Sequence, residues 1–202
     1  MPELPRYAKA SEEEYFHKKE KELLQKLKEK TAAEAHRKGL AEAVGLDNKQ
    51  ILDVLQDMGF DRSTVVLLFL FPLLQVAWSD GEISDEERAL ILKAARTYGV
   101  GEGSEAHRHL DVLLRTRPAP VLFERALTVI QDLLRFQEAD ARQSTGTKLI
   151  DACERVAAAS GGFLGIGPKV SAKERSALRR IASAIAEKHA AAATNLEDRL
   201  GF

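Results

Sequence analysis

The chain has 202 residues and carries 30 Lys and Arg against 31 Asp and Glu, a formal net charge of −1. That length supports one buried core with appendages, and the balanced charge excludes whole-chain attraction to nucleic acid or anionic lipid. The lone cysteine, Cys153, excludes an internal disulfide framework and fits a reducing compartment. The stretch MPELPRYAKASEEEYF lacks the basic-then-apolar order of a secretory signal. The longest apolar run, Val65 to Trp78 interrupted at Gln75, is shorter than the roughly 20 residues that span a bilayer. A cytoplasmic protein is the expectation.

Ala, Leu, Glu, Lys and Arg dominate and no alternating strand pattern persists, so the chain is expected to be all-α, a bundle of eight to nine helices. Ser11 and Glu14 form a capping box for a first helix running to about Lys30. Its apolar stripe is thin: Phe16, Leu23, Leu24 and Leu27 among charges, the pattern of a surface or projecting helix. A second helix is predicted from about Thr31 to Gly45. Residues 1–46 read as a charged helical extension, 47–189 as the main domain and 190–202 as a tail.

Asp47 or Asn48 caps a short helix, Lys49 to Met58, closed by Gly59. Asp61 caps the most apolar helix, Thr64 to about Ser79, expected at the centre of the bundle with a kink at Pro72. Ser84 opens a helix that runs to Tyr98 and stops at Gly99. Ser104 opens another to Arg115, and Pro118 and Pro120 mark a break. A long helix is predicted from Val121 to Arg142, with the next starting at Ser144 or Thr145 and carrying Leu149, Ile150, Cys153 and Val156. The last predicted helix starts at Ser171 and runs to about His189.

One pattern occurs twice. Val76-Ala77-Trp78-Ser79-Asp80-Gly81 followed by Ser84-Asp85-Glu86-Glu87-Arg88 returns as Val156-Ala157-Ala158-Ala159-Ser160-Gly161 followed by Ser171-Ala172-Lys173-Glu174-Arg175. Each copy ends a helix at glycine and reopens one with Ser-x-x-Glu-Arg, a capping-box signature. A duplicated helix–loop–helix unit is therefore expected. In the first loop Asp80, Glu82, Asp85, Glu86 and Glu87 crowd together, a composition that suits a hard cation with oxygen ligands. Asp80 and Glu87 are the leading metal candidates, with Glu82 next. An EF-hand is excluded, because its first ligand positions would fall on Val76 and Trp78. Against this stands the capping role of Glu87, which competes for the same carboxylate.

The second loop has Ser160 where the first has Asp80, and its helix is basic: Lys169, Lys173, Arg175, Arg179, Arg180 and Lys188 against Glu174 and Glu187. Gly162 to Ser171 lacks the Gly-Lys-Ser/Thr contact geometry of a phosphate loop and instead presents Phe163, Leu164 and Ile166. Cys153 sits on an apolar stripe with no histidine near it in sequence. No catalytic set emerges from the spacing.

Ala77-Trp78-Ser79-Asp80-Gly81-Glu82-Ile83-Ser84 with Glu87-Arg88, Tyr98-Gly99-Val100, and Ala159-Ser160-Gly161-Gly162-Phe163-Leu164-Gly165 resemble the TerB-like family of bacterial tellurite-resistance and stress-associated proteins. The resemblance spans roughly residues 47 to 189. It implies an all-helical fold with pseudo-twofold repeats and a metal-ion or stress-sensing role near the inner membrane. The family's acidic positions fall here on Asp80 and Glu87 in the first copy and on Glu174 in the second. The expectation is a non-enzymatic binding module with a protein partner and a divalent cation as its only candidate cofactor. The rivals are a metal-dependent hydrolase or phosphate-handling enzyme, using Asp80 or Glu87 beside groups such as Arg175 or His189, and an architectural subunit docked by its N-terminal helix.

Overall fold

A computed structural model describes residues 5–159 and 170–186, with side chains from residue 15 onward. Among the described residues there are eight α-helices and no strand. They are α1 (Pro5–Val44), α2 (Lys49–Asp57), α3 (Phe71–Ala77), α4 (Asp85–Thr97), α5 (Glu105–Arg115), α6 (Pro120–Arg135), α7 (Ala139–Ala159) and α8 (Ala172–Ala186). A 3-10 helix, Val65–Leu70, leads into α3. No helix among these residues is long and apolar enough to cross a membrane.

The apolar run lies at the centre, as its composition requires. Leu68, Leu70, Leu74 and Val76 are fully buried, and α3 packs against α4, α6, α7 and α8. The run is not one kinked α-helix, however. Pro72 has no N–H to give, so the stretch before it tightens into the 3-10 form and the α-helix begins at Phe71 with proline in its first turn, where no donor is needed. Phe71 meets Phe60 and Phe123 edge to face, at 5.8 and 6.0 Å between ring centres. Cys153 is fully buried and its thiol is pushed far up by burial, consistent with a small core residue. Gly146 lets α7 approach α8 closely, since a Cβ there would stand 3.1 Å from Ile185 Cγ2.

Two other boundaries differ from those predicted. The first 40 residues of helix form one element, α1, rather than two. Nothing between Lys30 and Thr31 breaks it: the Thr31 hydroxyl donates back to the Leu27 carbonyl at 2.8 Å, and Ala32, Ala33 and Ala35 are strong helix formers. Ser11 consequently lies inside the helix, which opens at Pro5. The helix predicted to run from Val121 to Arg142 instead ends at Arg135, and α7 starts at Ala139, ahead of Ser144. The carbonyl of Gln137 freed at that break accepts from Arg142 Nη2 at 2.9 Å and Nε at 3.3 Å.

Every residue of α1 from Tyr15 to His36 is exposed. Only its last turns join the core, where Leu40 is fully buried and Ala41 and Val44 pack beside it. Exposed polar contacts flank this anchor: His36 Nδ1 with Gln56 Nε2 at 2.8 Å, and Arg62 with Glu42 at 2.9 Å. Such surface contacts contribute little beside the buried leucine.

Asp61 caps the turn into the 3-10 helix. Burial alone would raise its carboxyl, but Oδ1 accepts from the hydroxyls and backbone N–H groups of Ser63 and Thr64, which lowers its pKa from 3.8 to about 2. A depressed folded value means the contribution is complete above about pH 4 and lost as pH falls toward 2. Asp61→Ala should cost about 1–2 kcal/mol at neutral pH. Urea unfolding of both proteins at pH 7 and at low pH checks this, the difference between them shrinking on acidification.

Candidate functional site

The Asp-Gly loop lies between α3 and α4. Trp78 closes α3, and its indole Nε1 donates to the Leu113 carbonyl at 3.0 Å. Arg88, one turn into α4, donates to the Leu114 carbonyl at 2.9 Å. Both acceptors belong to the last turn of α5, where carbonyls have no partner within the helix. The tryptophan and arginine of the repeated pattern therefore fasten the end of α5 to the loop. Sequence reading gave these residues no such role, because their acceptors are backbone atoms far along the chain. Gly81 supplies the loop's positive φ of 110°, a conformation in which any side chain would be strained.

The carboxylates divide into two groups. Asp80, Glu82, Asp85 and Glu86 are exposed, and Asp80 Oδ1 accepts a long 3.4 Å bond from the Glu82 N–H. Glu87 is 1 % exposed. Its Oε2 accepts from the Ser84 N–H and hydroxyl, each at 2.8 Å, while Ser84 Oγ accepts from the Glu87 N–H at 3.2 Å. This is the predicted capping box, closed in both directions. A matching one opens α8: the Ser171 N–H donates to Glu174 Oε2 at 2.6 Å and the Glu174 N–H to Ser171 Oγ at 3.1 Å. Glu174 is also 1 % exposed.

Both glutamates of the two boxes are buried, and the charge of Glu174 is felt at Glu87. Burial raises the pKa of Glu87, the hydrogen bonds from Ser84 oppose that rise, and the negative charges of Asp80 and Glu174 add to it. Of the sequence-predicted candidates, Asp80 thus lies within electrostatic reach of Glu87, and Glu82 stands outside in solvent. Glu174, assigned only through resemblance, adds to the rise after Asp80. Two buried atoms here, Glu87 Oε1 and Ser79 Oγ, have no hydrogen-bond partner among the described residues.

An oxygen left unpaired in a region of converging negative potential fits a hard cation in charge and in donor type. The side chains do not form a ready cage: among the described residues no three His, Cys, Asp or Glu groups come together closely enough to hold a metal ion. One oxygen of Glu87 is taken by the cap, which leaves Glu87 Oε1 and the exposed carboxylates of Asp80 and Glu82 as the candidate donors. His189, Phe163, Leu164 and Ile166 lie outside the described residues, as does the tail beyond Ala186. Among the known families, the curated proteins and the solved structures compared with this chain, none matches it.

Because the folded pKa of Glu87 is raised, its ionised form weighs against folding at neutral pH, and that penalty is relieved as pH falls through the folded value. Glu87→Gln keeps an acceptor for the Ser84 N–H and removes the charge, so it should stabilise the protein at pH 7 and do so by less at pH 4. Glu87→Ala loses the cap and should destabilise by about 1 kcal/mol. Thermal melts of the three proteins at both pH values distinguish the charge from the cap.

Proposed function

We propose that this protein is a TerB-type, non-enzymatic helical binding module of a bacterial stress or tellurite-resistance-type system, mediating protein contacts and carrying a weak divalent-cation site in its acidic loop. The observation that carries the reading is the buried Glu87 Oε1, without a hydrogen-bond partner among the described residues and raised in pKa by burial and by the charges of Asp80 and Glu174. The reciprocal boxes at Ser84 and Ser171 support descent of the two hairpins from one duplicated unit.

In this reading a cation relieves the repulsion among Asp80, Glu87 and Glu174. It adds stability by mass action to whichever arrangement of the loop binds it. Trp78 and Arg88 tie that loop to α5, so a change at the acidic junction reaches the C-terminal end of that helix. A protein partner recognising the rim formed by Asp80, Glu82, Asp85 and Glu86 would present basic groups.

Calorimetric titration with calcium, magnesium, manganese and zinc tests the cation site. At least one ion should bind the wild type, and binding should fall by tenfold or more, about 1.4 kcal/mol, in Asp80→Ala/Glu87→Ala. Silence from the wild type, or equal binding by the variant, ends the cation reading. The protein-contact reading is tested by co-purification from native cells, comparing the wild type with Asp80→Asn/Glu82→Gln. A captured protein retained equally by the variant places the contact elsewhere.

A further inference from the structure

A groove of about 530 Å³ runs between α4 and α7, and none of its lining residues belongs to the acidic loop. Leu73, Leu90, Ala94, Ala152 and Val156 supply its apolar floor. Ala94 and Ala152 offer only single methyl groups, so neither helix fills the space from its own side. Lys93 stands on the α4 wall, and Lys148 and Arg155 on the α7 wall, all three exposed. Asp151 is the one carboxylate among the described residues that line the groove, so three cations stand against it. None of those cations forms an ion pair or a side-chain hydrogen bond among the described residues. We propose that this groove docks an acidic amphipathic helix of a partner protein. The proposal does not rest on the acidic loop, whose partner would be basic.

Two features specify this occupant. The first is shape. The lining extends from Leu90 to Thr97 on α4 and from Lys148 to Val156 on α7, about two turns of each helix or roughly 10–12 Å. A third helix laid along it needs to insert only one face. Apolar side chains at positions i, i+3 or i+4 and i+7 would then press on Leu90, Ala94, Ala152 and Val156.

The second is the layout of charge. Lys148 and Arg155 are seven residues apart, so they share one face of α7 and stand about 10 Å apart along its axis, at opposite ends of the groove. Lys93 holds the facing wall. A ligand with a single anionic head and an apolar tail meets one end and leaves the other cation unanswered. A helix with Asp or Glu on both flanks of its apolar stripe answers all three. Burial of the floor supplies the affinity, and the charges set the choice of partner and its rate of arrival.

Selection of displayed random peptides of about 14 residues against the full chain tests this, followed by fluorescence-anisotropy titration of the enriched sequences. Enriched peptides should share the apolar spacing with Asp or Glu beside it. Their affinity should fall by roughly tenfold or more for Lys93→Glu/Lys148→Glu/Arg155→Glu. All three positions are exposed, so that variant should melt like the wild type, which separates lost binding from lost fold. The same peptides remade with Lys for each Asp and Glu should prefer the reversed variant. No enrichment, enrichment of neutral or basic sequences, or equal binding of acidic peptides by the reversed variant overturns the proposal. So does uptake of sodium decanoate by a chain that enriches no peptide, which would mark the groove as a site for an acyl anion.

Discussion

The burial of most of Val65 to Trp78 constrains everything else in this protein. A segment apolar on nearly every side can be kept from water only by neighbours all round it; α1, α4, α5 and α6 supply them for the 3-10 helix, and α4, α6, α7 and α8 for α3. Once they surround it, the polar ends of the segment must be dealt with locally. At the entrance Asp61 receives the N–H groups of Ser63 and Thr64. At the exit the chain turns at Gly81, and Ser84 and Glu87 close the start of α4. The acidic loop thus sits where it does because a central apolar helix ended there.

That origin explains the double character of Glu87. As a cap it satisfies backbone donors and earns its place structurally. As a buried carboxylate it feels the negative charges of Asp80 and Glu174, and one of its oxygens has no hydrogen-bond partner among the described residues. A cap alone would be served as well by glutamine. The charge is a cost to the fold, and the cation reading gives that cost a purpose.

The all-helical class, the central run and most caps were legible in the residues. Asn48, Ser84, Ser104 and Ser171 each accept the N–H bonds that their sequence contexts predict, because capping is decided within four residues. The misplaced boundaries had a different cause. Thr31 and Ser144 resemble caps in sequence, yet both lie inside helices, since cap-forming residues are tolerated mid-helix when nothing nearby stops the chain. Pro72 was recognised as an obstacle, but whether the chain would kink or change helix type depended on packing around it. The candidate site was half legible: the exposed carboxylates declared themselves, while the approach of Glu174 to Glu87 joins residues far apart in sequence.

The indole of Trp78, the chain's single tryptophan, carries a practical corollary. Fixed between the end of α3 and the carbonyl of Leu113, it makes the junction of the acidic loop the natural source of any ultraviolet emission signal. The outlying part of α1 holds no tryptophan, only Tyr7 and Tyr15. Loss or gain of order along that rod would leave the indole spectrum unchanged while altering the amide circular dichroism. Disagreement between those two optical readouts would therefore locate an event on the rod instead of in the body.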